Sequence, residues 1–216
     1  MNPSSDAAPA DTAPWFYRKR FAVFGLTYGL AFFFGFLIAG LAGIAPVPVY
    51  RSLGSPVLGA SIAGLAVVAG FALRVWASSY LSSSIVWQAD PQSPQLRVSG
   101  PYRFTRNPLY LGNVLQAIGI GLVGPWPVLL LVTLSVTAFN YALIFVEEPF
   151  LAAKLGNAYA HYRATVPRLI PLPGKVAPAA DQSVSLRDGL RAEAMIGLFA
   201  LIIFAGMLAN AMWSHP

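Results

Sequence analysis

Arg103, Arg106 and the pair Asn107-Pro108 stand just ahead of one apolar run, and Glu147 and Glu148 close the next. A helix N-terminus carries unpaired N–H groups and partial positive charge. Two arginines beside it complete a cradle for an anion such as a carboxylate or phosphate. Asn107 suits the N-cap, and Pro108 suits the first helical turn, where its missing N–H is unpaired anyway. The adjacent carboxylates pose the opposite problem. At a helix C-terminus they meet the negative end of the dipole and repel one another. They need cations or hydroxyls: Arg103, Arg106, Arg168, or a ligand bearing both. A structural alternative has them cap a helix beginning at Pro149. Beyond them, Tyr159 and Tyr162 share a helix face. Val166-Pro167-Arg168 fixes an arginine, the side chain suited to bidentate carboxylate or phosphate contact, on an extended stretch. The plainer reading makes the arginines headgroup anchors, the tyrosines interface residues and His161 a surface residue.

The elements that must hold these residues are membrane helices. The 216 residues are 56% hydrophobic and only 10% charged, and the mean hydropathy is +0.62. Long apolar runs at this composition indicate a polytopic all-α membrane protein. Residues 1–14 read as a disordered tail and 15–216 as a single helical membrane domain. About five spans are expected, near 21–45, 57–76, 108–123, 128–146 and 194–212. The first follows Arg18-Lys19-Arg20 and is longer than the ~7–15 apolar residues of a signal peptide, so it is expected to be retained. The run 108–123 is short for a span, which implies bilayer thinning or burial in protein. Glu147–Arg163 reads as an interfacial helix starting at Pro149, with Leu151, Leu155, Tyr159 and Tyr162 recurring at helical spacing. A proline-rich stretch and a polar linker precede the last span, and Trp126 and Trp213 suit the outer interface.

Thirteen of the 14 basic residues fall on the side that holds the N-terminus, and only Arg51 on the other. The positive-inside bias therefore puts the N-terminus and both polar segments in the cytosol and the C-terminus outside. A bacterial inner membrane is the expected location. The net charge of +6 belongs to loops beside the spans, which points to anionic lipid headgroups and not to nucleic acid. With no cysteine and two histidines, disulfides, thiolate chemistry and a Cys- or His-built metal site are excluded. No phosphate-binding glycine loop, nucleophile elbow or dinucleotide fingerprint is present, so a soluble Rossmann methyltransferase is excluded.

Gly100–Gly112 (GPYRFTRNPLYLG) and Glu147–Pro171 (EEPFLAAKLGNAYAHYRATVPRLIP) together resemble the isoprenylcysteine carboxyl methyltransferase and phospholipid methyltransferase family. The resemblance covers the cassette 100–171, a third of the chain. It implies an integral-membrane enzyme using S-adenosylmethionine at the cytosolic helix ends. By matching positions, Tyr102, Arg106, Asn107, Pro108, Tyr110, Gly112, Glu147 and Glu148 would hold the cofactor. Tyr159, Tyr162 and Arg168 would complete the pocket. On this reading Asn107 and the adjoining helix N-terminus take the methionine carboxylate, Glu148 takes the ribose hydroxyls or amino group, and Arg168 orients the acceptor. Glu148 and Arg168 are thus the expected catalytic pair. Asn107 stands where many relatives have His, so this position hydrogen-bonds but does not titrate. The acceptor would be a membrane-associated or small lipophilic carboxylate, amine or thiol. The resemblance leaves the acceptor and the oligomeric state open.

Two other classes fit less well. Membrane sterol and steroid reductases resemble the family in their C-terminal half and use NADPH. Their 2′-phosphate would need a basic cluster, for which Lys154, Arg163 and Lys175 are the candidates. A non-enzymatic scaffold or permease is the third reading. Transport calls for polar residues at mid-bilayer, and the fourth span offers only Thr133, Ser135, Thr137 and Asn140.

Overall fold

The computed structural model describes residues 14–81, 96–178 and 184–214. Among the described residues it is all-helical, with six α-helices in the order α1 (Trp15–Arg18), α2 (Arg20–Leu41), α3 (Pro56–Ser78), α4 (Pro108–Gly121), α5 (Trp126–Thr165) and α6 (Leu186–Ser214). Short 3-10 turns at Val49–Ser52 and Gly100–Arg103 precede α3 and α4. The tail expected to be disordered lies almost wholly outside the described residues, as do parts of both polar connections. Four helices, α2, α3, α5 and α6, are long and apolar enough to cross a membrane. The chain is a polytopic integral membrane protein.

Four expected boundaries move, one of them the start of the last span, which lies at Leu186 and not at 194. The first span ends at Leu41, not at 45. Gly43 takes a positive φ of 63°, and the Ile44 N–H donates to the Ala39 carbonyl while that of Gly43 donates to Gly40. This six-to-one and five-to-two pattern ends a helix. The third span is α4, only 14 residues, or about 21 Å against a hydrocarbon core of about 30 Å. It survives because protein surrounds it: none of its residues is exposed. The fourth span and the interfacial helix are one 40-residue element, α5, which passes through Pro149 and bends at Gly156 (φ 53°, ψ −129°). The proline begins no new helix, so neither glutamate caps one. The face Leu151, Leu155, Tyr159 and Tyr162 is as expected, and it packs with Val166 and Ala177.

Between lipid-like surfaces the helices meet along narrow seams. On α2 only Tyr28, Ala31, Gly35 and Ala39 are buried, one stripe at helical spacing. Tyr28 and Ala31 pack with Val128, Val132 and Val136 of α5, Gly35 lies against Val128, and Val67, Ala117, Ile120 and Ala200 complete that core. Leu30, Phe33, Phe34 and Leu37 face outward, as lipid contact requires. The α3–α4 seam is closer still. A Cβ on Gly112 would lie 2.5 Å from the Arg74 side chain and 2.7 Å from the Gly70 carbonyl. Small residues that let backbones touch are how helices associate without a hydrophobic gradient between them.

Candidate active site

At one end of the bundle the two polar segments meet. The Arg106 backbone N–H donates to the Pro167 carbonyl at 2.9 Å, which ties the loop before α4 to the chain after α5. Its guanidinium gives Nε (3.0 Å) and an Nη (2.8 Å) to Oε1 of Glu148, and its other Nη to the carbonyls of Arg163 and Val166. Arg168 engages the second oxygen, Oε2, through Nε (3.1 Å) and Nη (2.9 Å), and lies over the Phe145 ring. Its hydrogen bonds to Glu148 hold the Arg168 pKa above the usual arginine value. Glu148 is buried and both of its oxygens are taken by arginines.

Glu147 is one residue away and faces elsewhere. Its Oε1 accepts the hydroxyls of Tyr110 (2.7 Å) and Tyr17 (2.8 Å). Tyr110 comes from the first turn of α4, and Tyr17 from α1. Behind them, the Asn140 amide donates to the Tyr110 carbonyl and accepts from Asn113. Tyr162 donates to the Tyr102 carbonyl at 2.7 Å. Burial pushes the Tyr102 phenol well above its ordinary pKa, so it remains a neutral hydroxyl.

These groups surround a cavity of about 230 Å³. Eight of the expected site residues line it: Tyr102, Arg106, Asn107, Pro108, Tyr110, Glu147, Tyr159 and Tyr162. Three do not. Gly112 is packed against α3, and Glu148 and Arg168 form the ion pair behind the wall. Asn107 does not cap α4 with its side chain; its amide donates to the Arg168 carbonyl. Arg103 leaves the expected anion cradle and donates to the Ala177 carbonyl. Lys154, Arg163 and Lys175 are exposed and line no part of the cavity, so they form no phosphate cluster there. His161 is exposed, as expected.

Sequence reasoning missed Tyr17, Arg20, Arg74 and Asn113, all on the cavity wall, and Glu193 behind it. The signal available was chemical: Arg74, Asn113, Asn140 and Glu193 are polar residues in or beside apolar helices, and such residues are retained at a cost.

The family profile described as phospholipid methyltransferase matches residues 58–158. This stretch, just under half of the chain, is similar to the phospholipid methyltransferases. Members of that family are membrane methyltransferases with S-adenosylmethionine as donor. No curated protein and no solved structure matches the chain. The matched stretch runs from α3 into the inner part of α5, so it holds Arg74, the α4 entry and both glutamates. Tyr17, Arg20, Tyr159, Tyr162 and Glu193 lie outside it.

The wall chemistry fits the donor of the phospholipid methyltransferases. That molecule carries a carboxylate, an ammonium, a sulfonium, ribose hydroxyls and an aromatic base. Arg20, Arg106 and the Asn107 amide suit the carboxylate, Glu147 suits an ammonium or hydroxyls, and the rings of Tyr102, Tyr159 and Tyr162 suit the base or a cation.

Proposed function

We propose that the cavity is the S-adenosylmethionine site and that Glu147 is its anionic anchor, with an acceptor that reaches the same cavity from the bilayer. The observation that carries this reading is the meeting of Glu147 with Arg106, Asn107 and Tyr110 on one wall. When bound, S-adenosylmethionine supplies a methyl group already activated by its sulfonium. The protein's task is then positioning and exclusion of water, which alone lower such a barrier substantially. Tyr17 and Tyr110 fix the Glu147 carboxylate from two helices. Arg106 is locked by Glu148, by the Arg163 and Val166 carbonyls, and by the Pro167 carbonyl on its own N–H. Its position is therefore set before any ligand arrives, and pre-organisation of this sort favours binding. Glu148 and Arg168 act as positioning residues for that lock.

The acceptor is a lipophilic molecule with a carboxylate, amine or thiol. Phe21, Phe24 and Phe139 line the cavity where α2 meets α5. Phe21 is 44% exposed on the apolar surface, and the Phe24 and Phe139 rings stand 6.1 Å apart. This seam gives an apolar tail a lateral way in. Asn107 makes no proton transfer, so the acceptor's nucleophile must arrive deprotonated or lose its proton to water.

Calorimetric titration of detergent-purified protein with S-adenosylmethionine tests the proposal. Saturable binding is expected, and Glu147→Gln should weaken it by about tenfold, the scale of one charge-assisted contact. Unchanged affinity in that variant would overturn the assignment.

A further inference from the structure

Glu193 is fully buried at 0% exposure in the second turn of α6, beyond residues 58–158 in sequence. Nothing in the chemistry above uses it. Its Oε2 accepts from Arg74 Nε at 2.7 Å and pairs with an Arg74 Nη at 2.6 Å. Its Oε1 accepts the Ser78 hydroxyl at 2.6 Å. Packing drives the two helices together here. Gly189 of α6 lies against Ser79, and Gly197 against the Phe71 ring, so Glu193, midway between them on the same face, meets Arg74 directly.

Arg74 has a second side. Its remaining Nη donates to the Asn113 amide oxygen at 2.5 Å and to the Leu109 carbonyl at 3.2 Å, in the first turn of α4, and the residue lines the cavity. Asn113 continues to Asn140, Asn140 to the Tyr110 carbonyl, and the Tyr110 hydroxyl to Glu147. Glu193 is therefore the far end of a hydrogen-bonded line that finishes at the proposed anionic anchor.

We propose that Glu193 is a positioning residue that sets the charge of the cofactor cavity by neutralising Arg74 from behind its wall. The inference rests on the cavity being the S-adenosylmethionine site. The same arrangement recurs at Arg106, a second lining arginine, which pairs with Glu148. With both arginines balanced from behind, the Glu147 carboxylate is available to a cationic ligand. Without Glu193 the Arg74 charge is uncompensated and faces the cavity. A positive sulfonium suffers from that charge and a neutral thioether does not.

The test compares S-adenosylmethionine with S-adenosylhomocysteine, which lacks the methyl group and the sulfonium charge. Dissociation constants are measured by calorimetry for wild type, Glu193→Gln and Arg74→Met. In Glu193→Gln the affinity for S-adenosylmethionine should fall by about tenfold relative to that for S-adenosylhomocysteine, the scale of one partly screened like charge several ångströms away. In Arg74→Met the ratio should move the other way. Either variant alone decides the matter if the other fails to fold. A role in packing alone weakens both ligands equally, and an unchanged ratio in a folded variant would overturn the proposal. Wild-type protein that binds neither ligand would instead overturn the cofactor reading beneath it.

Discussion

Glu147 and Glu148 differ by one position, and successive residues of a helix point about 100° apart. That rotation separates two roles. Glu148 turns toward the chain after α5 and is closed by Arg106 and Arg168, while Glu147 turns toward the cavity and is held by two phenols. Their partners predict different failures. Glu148→Ala leaves Arg106, whose side chain is 7% exposed, without its counter-ion, and losing one partner of a buried pair costs about 3–5 kcal/mol. A large fall in thermal unfolding temperature in detergent is expected. Arg168→Ala should cost less, about 1 kcal/mol, because that side chain is 38% exposed and its pair is partly solvated. Comparable melting losses in the two variants would contradict this ranking. The sequence made Arg106 and Arg168 candidate partners for the glutamates, but it could not say which glutamate would take them. That choice depends on the phase of α5, and Pro149 suggested a helix start where the helix in fact continues.

At the scale of elements, the short α4 explains why the cavity is sunk into the bundle. Leu109 lies against Arg74, and Gly119 would carry a Cβ 2.6 Å from the Ala63 carbonyl, so α4 runs antiparallel to α3 and begins about one turn inside its end. The space above that first turn is the cavity, with the Gly100–Arg103 turn and the last part of α5 beside it. Asn107-Pro108 marked the start of α4 in the sequence, and Gly112 marked a constraint. The constraint is packing against Gly70 and Arg74, not ligand contact. Gly112→Leu should therefore lower stability by about 1–3 kcal/mol, the usual cost of overpacking, and weaken S-adenosylmethionine binding by moving Tyr110. Melting and titration of the same preparation check both effects. A variant with normal stability and lost binding would favour direct contact. Apolar runs made the existence of each helix legible. The recess was not, because it depends on α3 and α4 sliding into register through contacts between residues about 40 apart in sequence. The Arg74–Glu193 pair, whose members are 119 positions apart, left still less trace.

For the whole molecule, two backbone hydrogen bonds fix the topology. The Val49 N–H donates to the Gly124 carbonyl and that of Tyr50 to Leu122, so the α2–α3 and α4–α5 connections share one end. The pairs Arg74–Glu193 and Arg106–Glu148 lie at the other. The chain thus passes between the two ends five times, although among the described residues only four helices have the length of a span. An odd number puts the start of α2 and the end of α6 on opposite sides. The positive-inside bias of the basic residues predicts the hand of this arrangement, with the N-terminal side in the cytosol. A native chain without cysteine gives a clean assay. Lys19→Cys and Trp213→Cys, both at exposed positions and made singly, should react with a membrane-impermeant maleimide from opposite faces: Trp213→Cys in intact cells stripped of any outer envelope, Lys19→Cys only after the membrane is opened. Labelling of both from one face would mean an even number of crossings and would contradict the five passes traced by these contacts.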